Sequence, residues 1–119
     1  MKKHKKFSFK KKYRLLKNYQ FYFVFKKSYK VFNKKFLILS RKNNYYYPRL
    51  GIRISSSIIK FSNKRNVVKR LIRESFRYNI NKLFYMDFVV IIKDNVSDIK
   101  NFYLLKSLNI LWSRHFKKN

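Results

Sequence analysis

The chain has 119 residues, 46% of them hydrophobic, which suits one folded domain with a modest core. Its 32 lysines and arginines face only four acidic residues, and the formal net charge of +28 indicates a polyanionic partner, either nucleic acid or a membrane surface. The absence of cysteine excludes disulfides and thiolate metal sites, and no run of about 18 apolar residues could span a bilayer.

The beginning of the chain is rich in lysine and poor in apolar side chains. Residues 1–14 are therefore predicted to form a flexible basic arm, followed by a single domain at residues 15–119. The positive start has no apolar stretch after it, so a secretory signal is not expected. Together with the lack of cysteine, this predicts a cytoplasmic protein.

The segment after the arm suits two structures. Asn18 could cap a helix that runs to about Ser28 and carries Phe21, Val24 and Phe25 on one side. The same aromatic and β-branched residues also favour a strand. The pattern of residues alone leaves both open.

Two strands are predicted next. Phe36–Ser40 has the apolar character of a buried strand, and Asn43–Pro48 is predicted to be a loop because proline does not suit a central strand. From Arg49 to Ser55 apolar residues alternate with polar or small ones, which indicates a half-buried strand with a cationic outer face.

The remaining chain alternates helix and strand. A helix is predicted from Ser62 or Asn63 to Asn79, a strand at Phe88–Ile92 that opens at Asp87, and a last helix from about Asp98 to Phe116 with a leucine-rich stripe that includes Trp112. The elements follow the order α-β-β-α-β-α. This order predicts an α+β fold in which helices and a sheet pack in layers.

The helix near residues 63–77 separates charge from apolar side chains. At about 100° per residue, one arc carries Arg65, Asn66, Lys69, Arg70, Arg73 and Arg77, and the opposite arc is apolar. A solvated basic face is the simpler interpretation. However, five cations with a single nearby acid, Glu74, repel one another unless phosphates lie between them. The arc therefore predicts an RNA-binding face.

The same helix resembles a known family. Its pattern Arg65-Asn66-x-x-Lys69-Arg70-x-x-Arg73-Glu74-x-Phe76-Arg77 is similar to the signature helix of the bacterial ribonuclease P protein, which begins with an Arg-Asn-Arg triplet. The segments Asn18–Phe25, Pro48–Ile52, Met86–Val90 and Leu111–His115 resemble, in order, the family's first helix, second and third strands and final helix. The chain departs at Val67, the triplet's third position, and at Ser56 and Ser57, where paired lysines are usual.

The resemblance implies a fold and a function. The fold would be a compact α-β-β-α-β-α sandwich like a domain of a ribosomal protein, with a rare left-handed βαβ crossover and with the first segment as a helix. The function would be that of the protein subunit of ribonuclease P, an endoribonuclease in which an RNA subunit carries the catalysis. The partners would be that catalytic RNA and precursor tRNA, with Mg²⁺ held mainly by the RNA subunit and the substrate.

Individual roles follow from the same resemblance. The RNA-binding residues would be Arg53, Lys64, Arg65, Asn66, Lys69, Arg70, Arg73 and Arg77. Phe21 and Phe25 would wall a cleft for the single-stranded 5′ leader of precursor tRNA, although their spacing by itself favours core packing. No catalytic or metal-ligating residue is expected in the chain.

Other functions fit less well. The four acids are scattered, the two histidines are far apart, and no Ser-His-Asp set or glycine-rich phosphate loop is present. A ribosomal or assembly protein would share the charge but not the ordered motifs. A membrane-active helix conflicts with the predicted strands, and no DNA-binding motif or obligate protein partner is evident.

Overall fold

The computed structural model describes residues 10–118, and within them it contains three α-helices and a four-stranded sheet. The helices are α1 (Asn18–Lys26), α2 (Ser62–Asn79) and α3 (Asn101–Ser113), and the strands are β1 (Tyr29–Phe32), β2 (Phe36–Lys42), β3 (Arg49–Arg53) and β4 (Met86–Ile92). The predicted α+β class is confirmed. The first segment, which residue patterns left open, is a helix.

The sheet has the strand order β1-β2-β4-β3. Strand β2 is antiparallel to β1 and to β4, whereas β3 is parallel to β4. The connection from β3 to β4 must therefore cross the sheet, and α2 lies in that connection. The predicted hand of this βαβ crossover stays a prediction.

Strand β1 was not predicted. It pairs with β2 from Tyr29 opposite Ser40 to Phe32 opposite Leu37, so it forms an edge of the sheet. Its residues are exposed or half-buried, and they lack the alternation that marks a half-buried strand. The turn that follows depends on one side chain, because Oδ1 of Asn33 accepts hydrogen bonds from the backbone N–H groups of Lys35 and Phe36.

The main core lies between one face of the sheet and helices α2 and α3. Trp112 is fully buried at its centre, and its ring centroid lies 5.4 Å from that of Phe88 on β4 and 5.6 Å from that of Phe76 on α2. The indole N–H donates to Oγ of Ser75, which in turn donates to the carbonyl of Ile72. This chain of contacts joins both long helices to the sheet.

The other face of the sheet carries α1 over a smaller buried cluster that includes Phe21 and Val24. Gly51 on β3 allows this packing, since a Cβ there would lie only 2.5 Å from Cε1 of the Phe21 ring. The alternating pattern predicts an outer face of β3 that is open to solvent. Gly51 on that face is buried under α1, so only part of the face is open. The close approach fixes Phe21 against the strand.

One acidic side chain is used inside the fold. Asp87 on β4 is 5% exposed and accepts two hydrogen bonds from Arg49 on the neighbouring strand, at 2.9 Å from Nε and 2.7 Å from Nη2. These hydrogen bonds raise the pKa of the Arg49 guanidinium. Nδ2 of Asn43 also donates to Asp87, which ties the loop between β2 and β3 to the sheet.

Two helix starts differ from the predictions. Lys17 occupies the cap position of α1, and Oε1 of Gln20 accepts hydrogen bonds from the backbone N–H groups of Leu16 and Lys17, so Gln20 rather than Asn18 completes this end. Helix α3 begins at Asn101 and not at Asp98. The exposed carboxylate of Asp98 instead lies 3.8 Å from Nζ of Lys64.

The predicted basic arm is described only in part, because residues 1–9 lie outside the described residues. Lys11–Tyr13 form a 3-10 turn, and Arg14 makes a parallel bridge with Leu50. The backbone N–H of Leu15 donates to the carbonyl of Leu50 at 2.9 Å. Residues 11–14 thus adjoin β3. No helix between residues 10 and 118 combines the length and hydropathy needed to cross a membrane.

Candidate nucleic-acid interface

Helix α2 divides into a buried and a basic side. Val68, Leu71, Ile72 and Phe76 are buried against the sheet and α3. The basic side comprises Arg65, Asn66, Lys69, Arg70, Arg73 and Arg77, of which Asn66 and Arg70 are exposed and the others half-buried. Val67, the departure from the family triplet, is 49% exposed and lies off the core side of the helix. The helix therefore presents several cations together on its outer side.

The centre of this basic side is electrostatically unfavourable for the isolated protein. Partial burial, together with the positive charges of Arg14 and Arg70, lowers the pKa of the Arg73 guanidinium. Cations one helical turn apart destabilise a helix by about 0.2–0.5 kcal/mol per pair. A bound polyanion would remove this repulsion, so the arrangement favours an anionic ligand.

The basic side of α2 meets α1 and β3 in a small hollow of about 150 Å³, here called the junction groove. It is lined by Arg14, Leu15, Leu16, Phe21, Leu50, Gly51, Ile52, Lys69 and Arg73. The groove brings the predicted residues Lys69 and Arg73 of α2 together with Phe21 of α1. Among residues 10–118 no acidic side chain lines it, so it presents cations beside an apolar floor.

The two predicted cleft aromatics differ in exposure. Phe21 is 6% exposed, and the guanidinium of Arg53 lies 3.8 Å above its ring centroid. These two predicted site residues are therefore in contact with each other. Phe25 is 43% exposed, and its ring centroid lies 6.4 Å from that of Phe21. Phe21 is a core residue with a cation on its ring, whereas Phe25 offers a ring to solvent.

Two predicted RNA-binding residues at the start of α2 make contacts within the protein, away from the junction groove. Nη1 of Arg65 donates to the carbonyls of Ile59 and Lys60, each at 2.9 Å, so Arg65 braces the loop before the helix. Lys64 lies near Asp98 and lines a hollow between α2 and α3. Neither lines the junction groove.

Two cations near the site escaped the sequence analysis. Arg14 lines the junction groove although it was assigned to the flexible arm. The apolar pair Leu15-Leu16 directly after Arg14 was the available signal that the chain is packed on the domain here, because Leu15 is buried under α1. Arg41 on β2 lies 3.4 Å from the ring centroid of Phe23 and donates to the carbonyl of Phe23, so it holds α1 on the sheet.

The described residues at the candidate interface offer positive charge and aromatic surface. Between residues 10 and 118, no three His, Asp or Glu side chains lie close enough together to hold a metal ion. Both carboxylate oxygens of Asp87 already accept hydrogen bonds from Arg49. What the site can do is bind a polyanion and provide rings on which bases stack.

Known proteins resemble the chain over nearly its whole length. The family model described as Ribonuclease P matches residues 9–115. The ribonuclease P protein component of Baumannia cicadellinicola subsp. Homalodisca coagulata is 44% identical over 112 residues, which cover 94% of this chain and 97% of that protein. The component from Edwardsiella ictaluri is 40% identical over 113 residues, or 95% of each chain.

Solved structures show the same likeness. The RNase P protein of Staphylococcus aureus superposes with a TM-score of 0.82 at 29% identity, covering 88% of this chain and 98% of that one. The RNase P protein of Thermotoga maritima superposes with a TM-score of 0.78 at 30% identity, covering 87% and 98%. The fold and the order of the motifs therefore agree with one family.

Proposed function

The chain belongs to the ribonuclease P protein family, and from this premise we propose that it binds the catalytic RNA of ribonuclease P together with the 5′ leader of precursor tRNA. In doing so it promotes the endonucleolytic removal of the leader, which generates the mature 5′ end of the tRNA. The observation that carries the proposal is the junction groove, where cations of α2 adjoin Phe21 of α1, next to the exposed ring of Phe25. A surface of this composition suits RNA phosphates next to unpaired bases.

The catalytic RNA is proposed to lie along the basic side of α2. The residues proposed to bind it or nearby leader phosphates are Arg53, Lys64, Arg65, Asn66, Lys69, Arg70, Arg73 and Arg77. Their charges release counterions from the RNA and so provide affinity without reading sequence. Arg65 has an additional positioning role, since it holds the loop that precedes α2.

The leader is proposed to run past Phe25 and the junction groove. Phe25 is exposed enough to stack on a base, and Arg53, over the ring of Phe21, can contact a phosphate. Stacking tolerates any sequence because every base has a flat face. This suits a protein that must accept the leaders of many different precursor tRNAs.

The chemistry itself is assigned to the RNA. Mg²⁺ ions held mainly by the catalytic RNA and the substrate would activate water for phosphodiester hydrolysis. The protein would hold the two RNAs together and neutralise their phosphates. Such a complex of protein, catalytic RNA and precursor tRNA belongs in the cytoplasm, where we place the protein.

Arg70 and Arg65 should respond differently to replacement. Arg70→Gln is expected to weaken RNA binding and to reduce the salt slope of log K by about one unit or less, with unchanged stability, because Arg70 is exposed. Arg65→Gln should also cost about 1 kcal/mol of unfolding free energy, because it removes the brace on the loop. Salt titrations of binding and urea unfolding measure both effects. Equal stability loss in the two variants would contradict the assigned brace.

If Phe25 contacts the leader, its replacement should affect the binding of precursor tRNA but not of mature tRNA. Phe25→Ala is expected to weaken binding of precursor tRNA to the protein–RNA complex by about five- to 100-fold, and to leave binding of mature tRNA unchanged, because only the precursor has a leader to stack. Phe102→Ala on α3 removes a ring of greater exposure and serves as the control. An equal loss for precursor and mature tRNA would remove Phe25 from the leader path.

A further inference from the structure

A second groove, of about 700 Å³, lies where the loop between β2 and β3 approaches the end of α3. Tyr46 and Tyr85 are among its aromatic walls, and Lys42 and Arg114 add positive charge. We call it the tyrosine groove. In the part of the chain that the structure describes, it shares no lining residue with the junction groove, so the function proposed above does not account for it.

Two residues that line the tyrosine groove, Ser40 and His115, each carry a buried polar atom that lacks a hydrogen-bond partner among the described residues. Within residues 10–118, neither Nε2 of His115 nor Oγ of Ser40 has one. His115 is 5% exposed and Ser40 is fully buried. Native proteins rarely leave buried polar atoms without partners. A ligand that brings polar groups of its own would supply the missing partners.

The chemistry of His115 indicates what such a ligand must offer. Burial lowers the pKa of the imidazole, so the ring is neutral near neutral pH. Nδ1 lies 3.2 Å from the carbonyl of Leu111, which only accepts hydrogen bonds, so the ring proton belongs on Nδ1. Nε2 is then an acceptor. Phe88 and Trp112 hold the ring in place by edge contacts at 5.0 and 6.4 Å between centroids.

The open wall of the groove suits a flat partner. Tyr46 is 88% exposed, and its only ring contact among the described residues is an edge contact with Tyr85 at 6.5 Å between centroids. Nζ of Lys117 lies 4.8 Å from the ring centroid of Tyr85. Aromatic rings mixed with cations are the composition that single-stranded nucleic acid favours.

We propose that the tyrosine groove binds one unpaired nucleobase of an RNA, stacked on Tyr46 and hydrogen-bonded to Nε2 of His115 and Oγ of Ser40. Every standard base carries an N–H on its pairing edge for Nε2, and the serine hydroxyl can donate or accept. Lys42 and Arg114 would face the adjoining phosphates. The inference rests on the proposed binding of RNA, and it adds a second site to it.

The first test uses the whole protein and a five-nucleotide adenine RNA at low salt, followed by nitrogen-15 NMR. The Nε2 resonance of His115 is expected to shift on titration, while backbone resonances of α2 report binding at the basic side independently. Shifts in α2 without a shift at Nε2 would overturn the tyrosine groove alone. Shifts in neither place would overturn the proposed RNA binding as well.

The second test identifies the RNA that supplies the base. Tyr46→Ala, at an exposed position that should not affect folding, is expected to weaken binding by about five- to 100-fold. If Tyr46→Ala weakens binding to the catalytic RNA, the base belongs to that RNA. If it weakens only the binding of precursor tRNA to the protein–RNA complex, the base belongs to the precursor. His115→Phe removes Nε2 but keeps a ring, and it should weaken binding of the same RNA. With Tyr103→Ala as control, no loss in either arm overturns the proposal.

Discussion

The double replacement of Lys69 and Arg73 by glutamine is expected to weaken RNA binding by about 100-fold or more. Both side chains line the junction groove, and each is proposed to make a charge-assisted hydrogen bond worth about 1.5–3 kcal/mol. Glutamine keeps part of the aliphatic stem that packs at the groove. The measurement is the equilibrium dissociation constant for the catalytic RNA at fixed salt.

The same variant should not be less stable than the parent chain. Arg73 lies one turn from Lys69, Arg70 and Arg77, so its neutralisation removes several like-charge pairs, and a gain of up to about 1 kcal/mol in unfolding free energy is expected. A control pair, Lys100→Gln with Lys106→Gln, removes the same charge from exposed positions near α3. If the control weakens RNA binding equally, net charge and not the junction groove explains the affinity.

Trp112→Ala is expected to lower the free energy of unfolding by about 3–5 kcal/mol, a large share of the total for a domain of this size. The indole is fully buried between α2, α3 and β4, so its loss leaves a cavity lined by Phe76 and Phe88. It also leaves Oγ of Ser75 without the indole donor. Urea unfolding followed by circular dichroism measures the change.

Trp112→Phe separates the two contributions of this side chain. Phenylalanine keeps most of the buried ring but not the hydrogen bond to Ser75, so an intermediate loss of roughly 1–2 kcal/mol is expected. Tyr103→Ala removes an exposed ring from the same helix and should change stability by less than about 0.5 kcal/mol. A loss for Trp112→Ala as small as that of Tyr103→Ala would show that the helices do not depend on the indole.

The parts of the fold that residue patterns predicted are those with strong periodicity. Helix α2 begins and ends where the separation of apolar and basic residues indicated, from Ser62 to Asn79. Strand β4 was predicted from a run of buried apolar residues. Strand β1 escaped prediction because it is an edge strand with little burial, so its side chains carry no strong alternation.

The candidate site was predicted less completely, because local sequence patterns do not show which residues of different helices and strands lie close together. Periodicity placed Lys69 and Arg73 on one side of α2, but it could not show that Arg14 approaches them. It also could not show that Gly51 admits the ring of Phe21. The pairing of Arg49 with Asp87 depends on strand register, which only the folded sheet defines.

Cleavage of precursor tRNA at low magnesium measures the proposed function itself. The purified chain is combined with the catalytic RNA from the same genome, and the rate of leader removal is compared with that of the RNA alone. A faster rate is expected with the protein, because it holds leader and catalytic RNA together where few magnesium ions screen their phosphates. Equal rates with and without the protein, at concentrations that saturate its binding to RNA, would show that the chain does not promote leader removal.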